Sequence, residues 1–312
     1  MKIGICSGVL NCLGDVNERY KRASEMGYTA IDLNMGEKWS VGQIYKKENF
    51  GFFDKSVDEI IEYFSQHSSA AKANGIEVFQ AHAPFPSARM GLDEMNAYTR
   101  MTFEKCVLAA EAIGCPNLVV HPIHVGEHIS DDEAFEVNFE HFKGFSELLV
   151  RTGITMCIEN AYYYVNGRIN CASESNAEFL IRLVEALNAF AGSECFAICY
   201  DTGHGNITGK DHYRELLVYG KHLRTLHIHD TDGVHDTHLI PYTGRYLDRQ
   251  ATDWTGILKG LAKIGYDGCL SFESDSGILG MPEDVRPAAI NLNASIGKFF
   301  DRKIKEYKES NS

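Results

Sequence analysis

The sequence predicts a single-domain α/β protein, a closed (β/α)8 barrel. Strand-like apolar runs alternate with helical segments eight times along 312 residues, at intervals of roughly 30 to 45. No Gly-x-Gly-x-x-Gly follows the first strand, as it would in an open dinucleotide-binding sheet. Polar residues recur at the strand ends all round the chain, whereas an open sheet would gather them at one switch point.

The elements follow in order. Lys2–Cys6 is a strand ending in Ser7-Gly8, and 17–26 a helix stopped by Gly27. Ala30–Asn34 is the second strand. Residues 35–54 then form a long segment rich in Gly, Lys and aromatics, among them Trp39, Tyr45, Phe50, Phe52 and Phe53; it reads as a lid excluding water or as a dimer contact. Ser56 or Asp58 caps a helix that stops at Asn74-Gly75. The third strand is 76–82, ended by Ala83-Pro84. Asp93–Ile113 is a long helix closed by Gly114, and 117–121 the fourth strand, ended by Pro122. Residues 131–151 read as one helix and 154–159 as the fifth strand. A helix at 175–189 precedes the sixth strand, Phe196–Asp201, and 211–220 is a short helix. The alternation of 224–229 marks the seventh strand, sending His227 and His229 to one face. The helix 253–264 stops at Gly265, and 268–273 is the eighth strand. Pro282 opens the last helix, where a missing N–H costs least. The charged tail 303–312 is expected to fray.

Composition narrows the classes. A hydrophobic content of 44% supports a sizeable core, and no apolar run is long enough to span a membrane. Met1-Lys-Ile-Gly-Ile-Cys6 has no long apolar leader. The nine cysteines form no CxxC pair, and Cys106, Cys157, Cys199 and Cys269 sit in apolar periodic segments as small hydrophobes. These features predict a reducing, cytoplasmic setting. A net charge of -13 argues against a broad nucleic-acid surface.

Chemistry collects at the strand ends. The third strand ends in His82, the fourth in His121, the fifth in Glu159-Asn160 and the sixth in Asp201. The seventh carries His227, His229 and Asp230, and the eighth ends in Glu273. In a closed barrel these ends converge on one mouth. One such residue is ordinarily a cap; six consecutive strands make that explanation poor. Glu159, Asp201 and Glu273 would raise one another's pKa values unless a cation sat among them. Three carboxylates and an imidazole suit Mn²⁺, Mg²⁺ or Co²⁺, with Zn²⁺ also acceptable.

The set His82-Ala-Pro, His121-Pro, Ile158-Glu-Asn, Asp201-Thr-Gly-His, His227-x-x-Asp and Phe272-Glu resembles the xylose-isomerase-like TIM-barrel superfamily, from Ile3 to Glu273. Its sugar isomerase and epimerase branch implies one divalent metal held by Glu159, Asp201, His227 and Glu273. The resemblance also implies that Glu159 and Glu273 transfer protons on opposite substrate faces and that His204 touches substrate oxygens. It prefers His227 to His229 as ligand by motif alone. His82, His121, His204, His229, His238 and Arg245 are the substrate-binding candidates. Return of the proton to the same carbon is epimerisation; return to its neighbour is isomerisation.

The type IV apurinic endonucleases of the same superfamily hold three zinc ions with nine groups. Counterparts exist at His82, His121, Glu159, Asp201, His204, His227, Asp236, His238 and Glu273. Two features favour the sugar branch. No Lys/Arg cluster follows the strands, Lys46-Lys47 being the nearest. Asp236-x-His238, Pro241-x-x-Gly244 and Asp253-Trp254 resemble the corresponding run of sugar-isomerase-like members. An inosose-type dehydration by the same base, or a binding barrel without catalysis, are further readings. The implied partner is a small sugar, with or without phosphate, and a homo-oligomer is compatible with the sequence.

Four more groups are candidates. Asn160 orients a neighbouring ligand or caps a helix. Tyr162, Tyr163 and Tyr164, in a loop with Arg168, line a sugar pocket or pack that loop. Arg245 holds a substrate oxygen or phosphate. Gly277 and Gly280 offer a phosphate seat before the last helix.

Overall fold

The structure is a computed structural model that describes residues 1–38, 51–126 and 129–310. Eight strands form the barrel wall: β1 Lys2–Cys6, β2 Ala30–Asn34, β3 Glu77–His82, β4 Asn117–Val120, β5 Thr155–Glu159, β6 Phe196–Asp201, β7 Leu223–His227 and β8 Cys269–Phe272. All pair in parallel, in the order β8-β1-β2-β3-β4-β5-β6-β7. The ring is completed beyond β7, where Ile228 N–H donates to the Ser271 carbonyl (2.8 Å) and Glu273 N–H to the Ile228 carbonyl (3.0 Å). Strands covered on both faces are apolar almost throughout; β4, Asn-Leu-Val-Val, is buried at every residue.

The helices are α1 Val16–Met26, α2 Val57–Ala73, α3 Asp93–Ile113, α4 Asp131–Lys143, α5 Ser146–Thr152, α6 Ala177–Ala191, α7 Thr202–Ile207, α8 His212–Tyr219, α9 Trp254–Lys263, α10 Asp275–Leu279 and α11 Arg286–Ser310. Ser56, not Asp58, caps α2, in a reciprocal capping box with Glu59; Ser130 and Glu133 repeat the device at α4. One apolar layer between sheet and helices runs from Ile3 to Ile304. Two further clusters of strand residues stand apart from that layer: Val119, Cys157 and Cys199 pack together, as do Ala30, Phe79 and Cys269. All nine cysteines are free thiols, and only Cys171 is exposed.

Several expectations are corrected. The helix expected over 131–151 is two helices, because Arg100 of α3 binds the Gly144 carbonyl (2.8 Å) and Phe145 turns fully into the core. The last helix starts at Arg286, and Pro282 precedes a 3-10 turn, Glu283–Val285. Its tail stays helical to Ser310: Ile304 is buried and Lys308 Nζ donates to the Tyr266 carbonyl (2.8 Å). Phe53 is buried, and Phe52 packs on Phe53, Tyr63 and Phe64, so both belong to the α2 packing and not to a lid. Trp39, Tyr45, Lys46, Lys47 and Phe50 lie outside the described residues. No described helix is long and apolar enough to cross a membrane.

Candidate active site

The ends of β3 to β8 bring their polar residues to one mouth, a cavity of about 620 Å3 lined by His82, His121, Glu159, His204, His238 and Glu273, among others. At its floor, ligand atoms of Glu159, Asp201, His227 and Glu273 all lie within 4.8 Å of one another. His227 Nδ1 is 3.0 Å from Glu159 Oε1 and 3.3 Å from Glu273 Oε2. Asp201 and His227 are fully buried; within this quartet only Glu159 and Glu273 line the cavity.

Each position has a local cause. Asn160 neither caps a helix nor bonds Glu159. Its Oδ1 accepts from Asp201 N–H (2.6 Å) and its Nδ2 donates to the Asp201 carbonyl (3.1 Å), bracing the end of β6. Asp201 caps α7 by accepting His204 N–H (2.6 Å), and His204 Nδ1 pairs with the Asn160 carbonyl (2.8 Å), which turns Nε2 toward Asp236 (3.5 Å). In Asp-Thr-Gly-His, the glycine is required because a Cβ at Gly203 would run into the His229 ring. In Pro-x-x-Gly, a Cβ at Gly244 would strike the Thr231 carbonyl. Asp230 secures that loop, accepting from Gly244 N–H (3.1 Å) and Thr252 Oγ1 (2.6 Å).

The electrostatics depart from expectation. Burial pushes the Glu159 carboxyl up, but the His227 and His121 imidazoles overcome it and hold Glu159 well below the usual range. Asp201 is likewise lowered, burial being outweighed by His204 and His229. Asp236 is held far down by His204 and His238 against its burial. The imidazoles answer in kind. Burial lowers His227 and His204, yet Cys199, Glu273 and Glu159 raise the first and Asp201 and Asp236 the second, both well above normal. His238, buried but bonded to Asp236, is pushed up to about 10. Interleaved histidines thus relieve the repulsion anticipated among the acids.

The donor set fits a divalent cation. Glu159 Oε2 is buried without a hydrogen-bond partner, although His121 and His82 Nε2 lie 3.3 and 3.5 Å away, and buried Asp236 Oδ1 also lacks one. A second group of donor atoms, from His204, His229, Asp236 and His238, also falls within 4.8 Å, as do those of His82, Glu159 and His227.

The other candidates divide. His229 is fully buried beneath the mouth, its Nε2 3.0 Å from Asp201 Oδ2 and its ring stacked on His238 at 4.0 Å. Tyr162 and Tyr164 line the mouth, and Tyr162 OH donates to Asp236 (2.9 Å); Tyr163 instead stacks on His124. Arg168 and Arg245 are exposed in the small hairpins Tyr163–Val165/Arg168–Asn170 and Arg245–Tyr246/Arg249–Gln250, outside the mouth's lining. Gly277 N–H is spent on the His238 carbonyl and Gly280 N–H on Ser276 (both 3.0 Å), so neither offers a phosphate seat. His235 pairs with Asp232 at the surface. Asp32, unremarked in the sequence, is buried with Oδ2 2.9 Å from His227 Nε2 and 2.8 Å from Gln80 Nε2.

A family model described as xylose isomerase-like TIM barrel matches residues 20–292. The uncharacterized protein y4fM of Sinorhizobium fredii is 30% identical over 166 residues, 53% of this chain and 49% of that protein. The uncharacterized protein MJ1311 of Methanocaldococcus jannaschii is 27% identical over 201 residues, 62% and 63% of the two chains. The match thus spans about half of the first relative and under two thirds of the second. Among solved structures, a D-tagatose 3-epimerase-like protein superposes with a TM-score of 0.68 at 19% identity, over 100% of this chain and 99% of that one. An L-ribulose 3-epimerase gives 0.67 at 15% over 100% and 97%, and a D-psicose 3-epimerase 0.66 at 16% over 96% and 99%. At these identities the likeness is one of fold. With the match running along most of the barrel and the strand-end set meeting at one mouth, the chain belongs to the xylose isomerase-like TIM barrel family.

Proposed function

We propose that the protein is a divalent-metal-dependent sugar isomerase or epimerase, with Glu159, Asp201, His227 and Glu273 holding one ion and Glu159 and Glu273 moving the proton. One observation carries this reading: of four donors within 4.8 Å, the two glutamates alone reach the cavity, from strands β5 and β8. When bound, a divalent ion supplies Lewis acidity at the substrate's oxygens. One glutamate removes the proton on the carbon beside the carbonyl, and the other, from the end of a different strand, returns it to the enediolate. His204, with Nδ1 tied to the Asn160 carbonyl, presents Nε2 toward the substrate side, and Tyr162 and Tyr164 form a wall against which a sugar's C–H face packs. Expulsion of water from the adjacent carbon by the same base is the dehydratase variant of this chemistry.

The test is solvent-deuterium incorporation into ketoses by metal-loaded protein. Glu159→Gln and Glu273→Gln should each lower the rate by at least about 10²–10⁴, the usual worth of a positioned base, while melting curves remain cooperative. Near-parental exchange in either variant would rule out the two-base scheme.

The second donor group, His204, His229, Asp236 and His238, favours one rival: a three-ion site serving phosphodiester hydrolysis, as in the apurinic endonucleases. Against it, Arg89 is the single Lys or Arg among the described residues lining the mouth, too little for a nucleic-acid backbone. Metal analysis of purified protein separates them: one ion for the isomerase, three zinc ions for the nuclease.

A further inference from the structure

Beside the mouth lies a second cavity of about 440 Å3, and the two share Phe85, Arg89, His121, Ala161 and Tyr162. Sites of about 300–1,000 Å3 hold drug-sized ligands, so the 620 Å3 mouth alone has ample room for a single sugar ring. We propose that this annexe is a subsite for a second sugar unit, so that the substrate is an O-glycosylated sugar and not a free monosaccharide. The inference rests on the isomerase reading, and extends it to substrate class.

The annexe is built for an amphipathic ring. Phe85 is 56% exposed and stacks on His121 with centroids 5.1 Å apart and planes at 12°. One ring face is thereby covered and the other left open as a plate for C–H groups. Met90 and Val125 continue the apolar wall. Opposite in character is Glu174, 2% exposed yet lining the annexe, with Oε1 buried and unpartnered. Ala161 N–H donates to its backbone carbonyl (3.1 Å), which ties Glu174 to a residue of the wall shared by annexe and mouth. A buried carboxyl without a partner is costly unless something completes it, and a sugar hydroxyl both donates and accepts. The path is continuous with the chemistry: His121, on the shared wall, has Nε2 3.3 Å from Glu159. A ring reacting beside Glu159 would direct its substituent past His121 into the annexe.

The experiment compares D-fructose with two of its glycosides, lactulose and isomaltulose, on metal-loaded protein, measuring affinity by calorimetry and deuterium exchange by NMR. At least one disaccharide should bind about tenfold more tightly than D-fructose. Val125→Trp, which fills the annexe, and Glu174→Gln, which keeps its shape, should each pull that affinity ratio toward one. Equal affinities in the parent protein, or a preference that survives both variants, overturn the subsite. Exchange into none of the sugars, with the binding preference intact, supports the subsite and overturns the isomerase reading.

Discussion

His227 meets Glu159 and Glu273 through Nδ1 because its other nitrogen is already held, Nε2 lying 2.9 Å from Asp32. Gln80 fixes the same carboxylate oxygen from β3 (2.8 Å). An imidazole that donates from Nε2 keeps its Nδ1 lone pair for a cation, and such outer partners are typically worth 10–100-fold in metal affinity. Asp32→Asn should therefore weaken divalent-metal binding by about 10–100-fold in chelator competition, with circular dichroism unchanged. A folded Asn variant with parental affinity would remove Asp32 from the site. The strand-end acids and histidines were readable because each follows an apolar run and breaks it. Asp32 was not, because a lone acid in Ala-Ile-Asp-Leu-Asn also suits the wet face of a strand. Only barrel closure sets it against a histidine 195 positions away.

At the scale of elements, strands were legible and loops were not. A barrel strand is covered on both faces, so its apolar run is marked off by Gly, Pro or a polar end. The hairpins bearing Arg168 and Arg245 pair only with themselves over two or three residues, too short for alternation to register. The same blindness hid the 3-10 turn Ser173–Ser175, which buries Glu174. Burial, with Asp131 adding to it, pushes that carboxyl from 4.5 to about 7. A carboxyl raised on folding binds its proton more tightly in the native state, so native stability is greatest below the unfolded value and declines as pH rises from about 4.5 to 7. At about 1.4 kcal/mol per pH unit this reaches roughly 3 kcal/mol. Glu174→Gln cannot ionise, so relative to the parent its melting temperature should climb between pH 5 and pH 8. Parallel pH curves for the two proteins would show that Glu174 ionises freely in the fold.

For the whole molecule, the mouth gathers buried acids in a chain of net charge -13, and protons on histidines stand in for a cation among them. A folded-state ligand at a hundred times its Kd stabilises by about 2.7 kcal/mol. At roughly 2–4 °C per kcal/mol for large domains, Mn²⁺ or Co²⁺ should raise the melting temperature by about 5–10 °C. The protons supply a sharper readout. Histidines raised on folding, such as His238 at about 10, stabilise the metal-free protein below their unfolded values, and that contribution fades as pH climbs through the folded values. At neutral pH His227, raised in the same way, holds a proton that metal ligation must expel, so apparent metal affinity should increase with pH. Calorimetry in buffers of different ionisation enthalpy counts the protons released. Loading the quartet engages a single histidine, His227, and should release about one proton per ion. Filling the His204–His229–Asp236–His238 group as well would release more, with a second binding step. One step and about one proton match the isomerase; several steps and several protons would move the protein to the multi-metal hydrolases.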